Sequence, residues 1–159
     1  MKRKLLLFLC FFCGMLHLHA QQDVIQEKKD ILKVVQQFFD AMEARDTVTF
    51  SNTALPDAYH YYVKETKDSV LAGARPQSLF KQSLAANKRV VKEHFRNTGV
   101  TVQVHKRIAM VWGPYDLWAD KKFSHCGIDV FTLLKTKDGW KIASIAYSVE
   151  PEECDKEIK

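Results

Sequence analysis

Residues 108–149 read IAMVWGPYDLWADKKFSHCGIDVFTLLKTKDGWKIASIAYSV, and this stretch decides the fold. It divides into three runs, 108–118, 123–135 and 140–149, rich in β-branched and aromatic residues. Short polar connections at Asp120-Lys121-Lys122 and Asp138-Gly139 separate them, so they read as three consecutive antiparallel strands. Pro114 lies inside the first run, which implies an edge or a bulge there. The middle run carries His125, Cys126 and Asp129 where plain sheet is expected. Two-residue alternation puts His125, Gly127 and Asp129 on one face with Phe131 and Leu133, and Cys126 on the other. His125 and Asp129 then stand about 13 Å apart at the usual strand rise. That is too far for a direct dyad, but it fits two depths of one pocket, with Gly127 between them leaving room for a ligand.

Upstream the chain is helical. Ile31, Val34, Val35, Phe38, Phe39 and Met42 follow the spacing of one buried stripe on a helix over residues 23–45. Asp46-Thr47 offers an N-cap for a short helix over 48–54, which ends before Pro56. Residues 58–63 and 69–74 read as two strands, and 77–86 as a third helix with Leu79, Phe80 and Leu84 inward. Residues 90–96 form a short strand, and Val100, Val102 and Val104 alternate with polar residues in the next. Helices come first and strands later, without alternation. The expected class is α+β: a curved antiparallel sheet wrapped around the N-terminal helices, forming a cone with an internal pocket.

Residues 1–20 read as a cleavable signal peptide, with Lys2, Arg3 and Lys4 ahead of an apolar run over 5–16 and Ala20 at the cleavage point. Small residues do not precede Cys10 or Cys13, which argues against lipidation there. Residues 21–159 form one domain, expected in the periplasm or outside the cell. The chain carries 24 Lys+Arg against 19 Asp+Glu, a net charge of +5, and three of those positives leave with the signal. The remaining +2 argues against a nucleic-acid partner. No later apolar run approaches a membrane span.

Cys126 and Cys154 remain after cleavage, an even pair in an exported chain. With Asp138-Gly139 as the hairpin turn, Cys126 lies opposite Pro151, close enough to Cys154 for a chain that curls back. A disulfide there would close a loop of roughly 30 residues, worth about 3 kcal/mol in the chain-entropy model; the other reading is two unpaired thiols.

Three strands of this pattern carry a resemblance. IAMVWGPYDLW, KFSHCGIDVF and DGWKIASIAYS, with the cysteine at 154, resemble exported bacterial members of the nuclear transport factor 2-like superfamily described as putative lumazine-binding. The same cone houses ketosteroid isomerase and the SnoaL-like cyclases. The resemblance implies the cone fold over nearly all of residues 21–159 and a homodimer through the exposed sheet face. In the resembling enzymes a carboxylate in the cone acts as base while polar groups stabilise an enolate. Asp129 is then the candidate base and His125 the candidate donor or second acid, although no residue matches those enzymes' motifs one for one.

The function that this reading favours is binding of a small organic molecule, with His125, Asp129, Trp112, Tyr115, Trp118 and Tyr147 as pocket residues. An isomerase, cyclase or dehydratase using Asp129 and His125 is the first alternative. A protein-interaction scaffold with a filled cone, in which both residues are structural, is the second. No cofactor is implied. Nor is a metal: His125 and Cys126 face opposite sides of the strand, and His60, His94 and His105 lack ligand spacing.

Overall fold

The computed structural model describes residues 2–150 and Cys154, with side chains from residue 22 onward. The elements are α1 (Lys2–Ala44), α2 (Thr47–Thr53), β1 (Ala54–Glu65), β2 (Val70–Pro76), α3 (Gln77–Ala86), β3 (Val91–Phe95), β4 (Thr101–His105), β5 (Ile108–Ala119), β6 (Lys122–Thr136) and β7 (Gly139–Val149). The backbone of α1 is helical across the expected cleavage point, beyond the start read at residue 23. The side chains of residues 1–21 lie outside the described ones. Among the described residues no helix is long and apolar enough to cross a membrane.

The apolar stripe of α1 does what its spacing requires. Ile31, Val35, Phe38, Phe39 and Met42 are buried against the sheet. The ring of Phe39 meets Phe95 and Phe131 edge to face, at 5.2 and 5.7 Å between centroids. Glu27 ties the same helix to the far end of the sheet by accepting from Trp140 Nε1 at 2.7 Å and pairing with Lys135. At the other end Arg45 adopts φ +57° and Asp46 caps α2, accepting from the Val48 and Thr49 amides.

The sheet has seven strands in the order β2-β1-β7-β6-β5-β3, with β4 also on β5. It is open and curved over the helices, as expected, but it is not wholly antiparallel. The first strand β1 pairs in parallel with the last, β7. The segment from β2 to β6 is the long crossover that a parallel pair needs. On α3 the buried positions are Gln77 and Leu84 with Phe80 partly covered, while Leu79, expected inward, is exposed. Gln77, Phe80 and Leu84 lie at i, i+3 and i+7, the true inner stripe.

Pro114 is not in a bulge but at a local edge of β5. β4 covers residues 108–112 of β5 and β3 covers 115–119. Pro114 falls in the gap between these two short partners, where its missing N–H leaves no ladder bond unmade.

Cys126 and Cys154 are joined, with their Cα atoms 5.7 Å apart. The register differs slightly from expectation. Thr136 pairs with Gly139, so the turn is Lys137-Asp138, and an irregularity between Thr132 and Leu133 shifts the ladder again. Cys126 consequently bridges Glu150, not Pro151, through two backbone bonds of 3.1 and 2.9 Å. The disulfide spans 28 residues and clamps the C-terminal segment to β6. Replacing both cysteines by serine should lower stability by about 3 kcal/mol. Urea unfolding measures this, and an unchanged midpoint would mean that the closed loop contributes nothing.

Candidate functional site

The concave side of the sheet and the helices enclose a cavity of about 500 Å³. Strand alternation decides who lines it. On β1 the even residues face in, giving His60, Tyr62 and Lys64; on β5 the odd ones do, giving Tyr115 and Leu117; on β6 the odd ones again, giving His125, Asp129 and Phe131. Phe38 and Met42 of α1, Phe80 of α3 and Ile145 and Tyr147 of β7 complete the apolar wall.

The polar groups are segregated. Asp129 is 1% exposed, opposite Gly113 on one side and Tyr147 on the other. Its Oδ2 is buried without a hydrogen-bond partner. Glu93, from β3, brings a second carboxyl to the same place, where the two interact as a pair. Burial pushes the Glu93 carboxyl up to about 7, a rise moderated by its hydrogen bond with Asp129. Burial, followed by the charge of Glu93, pushes Asp129 well above the ordinary aspartate range. Two acids in contact, Asp129 buried and Glu93 half-buried, resist ionising together, which favours keeping a proton on the pair.

Their neighbours respond. Burial first, then the charges of Glu93 and Asp129, pushes the Tyr115 hydroxyl up, so it stays a donor. It donates to the Ser148 carbonyl at 2.7 Å, crossing β6 at Gly127, the residue paired with Tyr115. A Cβ at Gly127 would overlap that carbonyl. The glycine therefore serves the close approach of β7, not a ligand. Burial also raises Tyr147, while Arg75 draws it back.

His60 is buried and donates from Nε2 to Gln77 Oε1, whose amide nitrogen donates to the Phe50 carbonyl at 3.3 Å. That relay sets the tautomer. Burial lowers the His60 pKa. Lys64 and Arg75 are the cations of the wall, and both are exposed. The Arg75 guanidinium lies 5.5 Å from the Tyr62 ring centroid. Burial, then the Lys64 charge, lowers the His125 pKa, and its ring stands edge-on to Tyr115 at 5.9 Å.

Of the residues expected in the pocket, His125, Asp129, Tyr115 and Tyr147 lie on the cavity wall; Trp112 and Trp118 do not. Inward Tyr115 and Leu117 force both tryptophans to the opposite phase of β5. Trp112 pairs with Thr101 and Val130. Trp118 is 37% exposed and packs edge-on against Phe123. Sequence reasoning missed Glu93, His60, Lys64 and Arg75. The signal for Glu93 was present: it alternates in phase with Val91 and Phe95, an acid at an inward position.

Residues 26–148 match the model of a family described as "Putative lumazine-binding". Among solved structures, an NTF2-like protein of unknown function from Shewanella baltica is 17% identical, with a TM-score of 0.59 over 80% of this chain and 97% of that one. An NTF2-like superfamily protein from Salmonella enterica is 13% identical, with a TM-score of 0.61 over 82% and 95%. A Streptomyces avermitilis protein described as a putative dehydratase of the NTF2-like family is 21% identical, with a TM-score of 0.58 over 76% and 94%. These likenesses show the fold. No curated protein matched the chain.

The raised carboxyls have a sign. A folded pKa above the unfolded one means that folding takes up a proton, so this stabilisation is present at low pH and is lost as pH rises. For Glu93 the window runs from its ordinary 4.5 to about 7. Thermal unfolding across that window should show the wild type losing stability more steeply than Glu93→Gln. Parallel curves would contradict the raised pKa.

Proposed function

This chain belongs to the putative lumazine-binding family, and from that premise we propose that it is an exported protein that holds a small, flat, partly apolar molecule in its cone. The observation that carries the reading is the cavity of about 500 Å³, with aromatic walls and a few convergent polar groups. Export is supported by the basic-then-apolar composition of residues 2–16 and by the disulfide. A homodimer is supported by the apolar convex face, where Tyr61 and Val63 lie exposed beside Ile128 and Val130. The same cavity volume speaks against a scaffold with a filled cone.

One observation favours a second reading, acid–base catalysis beside a carbonyl by an isomerase, cyclase or dehydratase. A carboxyl pushed up to about 7 is poised to take and return protons at neutral pH. In this reading Glu93 joins Asp129 and His125, and the description of the Streptomyces avermitilis protein agrees with it.

Native mass spectrometry of the protein purified from its own host distinguishes these readings. Binding predicts a dimer mass carrying a small molecule, which is lost in Asp129→Asn and in Tyr147→Ala. Catalysis predicts that the molecule is converted by wild type and held unchanged by Glu93→Gln. An empty cone in every preparation, with the variants equally folded, would contradict the binding reading.

A further inference from the structure

The wall of the cavity is electrically divided, and this division constrains what it takes. At the inner end two carboxyls face each other, and apart from the Glu93 carboxyl nothing bonds the buried Asp129 Oδ2. Among the described residues no Lys or Arg bonds it. Lys64 and Arg75 are the Lys and Arg of the wall among those residues, both exposed, and Arg75 lies over the Tyr62 and Phe80 rings. The flanking elements offer Phe38 and Met42 from α1, Phe131 from β6 and Ile145 from β7, none of which can donate, and Tyr147 from β7, whose hydroxyl is hydrogen-bonded with Arg75. Tyr115 already donates to Ser148.

Resting on the binding reading above, we propose that the ligand is bipolar. Its inner end is a positively charged, N–H-donating group, an amidine-like or protonated amino-heterocyclic head, that docks on Glu93 and Asp129. Its outer end is an anion that meets Lys64, whose charge reaches His125, and a flat ring between the two ends lies among the aromatic walls. A pair of carboxyls that shares one proton carries a net negative charge, which a cationic head neutralises. The four-residue run from His125 to Asp129 measures the depth, about 13 Å at the strand rise, room for a fused bicyclic ring with a substituent at each end.

The probe is 6-amidino-2-naphthoate, compared by calorimetry with 2-naphthamidine, 2-naphthoate and neutral 2-naphthamide. The bipolar compound should bind at least roughly tenfold tighter than either single-ended one, as charge-assisted bonds at both ends require. Glu93→Gln should remove the advantage of the amidine, and Lys64→Ala that of the carboxylate, each weakening the charged compound more than 2-naphthamide. If 2-naphthamide binds as tightly as the bipolar compound, or the amidine advantage survives in Glu93→Gln, the inference is wrong while the binding reading stands. If none of the four binds, both fall.

Discussion

Docking of α1 by its paired phenylalanines is the constraint from which the cone follows. Phe39 sits between Phe95 and Phe131, and Phe38 meets Phe131 at 5.9 Å and Phe50 at 4.8 Å. These rings come from α1, α2, β3 and β6, so one cluster ties both helices to two separated strands of the sheet. Burying such rings is worth several times a single hydrogen bond. The sheet must curve to reach them. It does so with an extra residue in β6, Ser124, opposite the Leu117/Trp118 step of β5, and one in β7, Ala143, opposite the Thr132/Leu133 step of β6. Gly113 lets the Phe95 ring lie against β5, where a Cβ would stand 2.8 Å from it.

The helix fills only part of that curve. What it leaves open is lined by rings and closed off by two acids that no protein cation neutralises. Placing carboxyls there opposes folding at neutral pH, because ionising them in an apolar cavity is costly. The fold carries the cost through its aromatic cluster and the disulfide clamp on β6. A group that weakens the folded state and points into a cavity is more readily understood as serving a ligand than as serving the core.

The fold was largely legible in the sequence because its signals are local. The stripe on α1, the cap at Asp46 and the alternation in 108–149 each depend on residues within a few positions of one another. The shared face of His125 and Asp129 followed from the same alternation. Long-range facts were not legible. The parallel pairing of β1 with β7 depends on how the chain returns, and no local pattern encodes it. Glu93 reaches Asp129 from two strands away, across β5. Trp112 and Trp118 looked like pocket walls by residue type, but the inward phase of Tyr115 excluded them. Gly127 has a tight neighbour, the Ser148 carbonyl, that only the folded ladder reveals.

The central claim is that the two acids in the cone hold a proton at neutral pH. The most direct measurement is a ¹³C NMR titration of the carboxyl carbons of Glu93 and Asp129, assigned through Glu93→Gln and Asp129→Asn. The account predicts that both titrate above the ordinary carboxyl range, Glu93 raised to about 7 and Asp129 well above its ordinary 3.8. Two carboxyls both titrating in the ordinary range near 4 would contradict the claim.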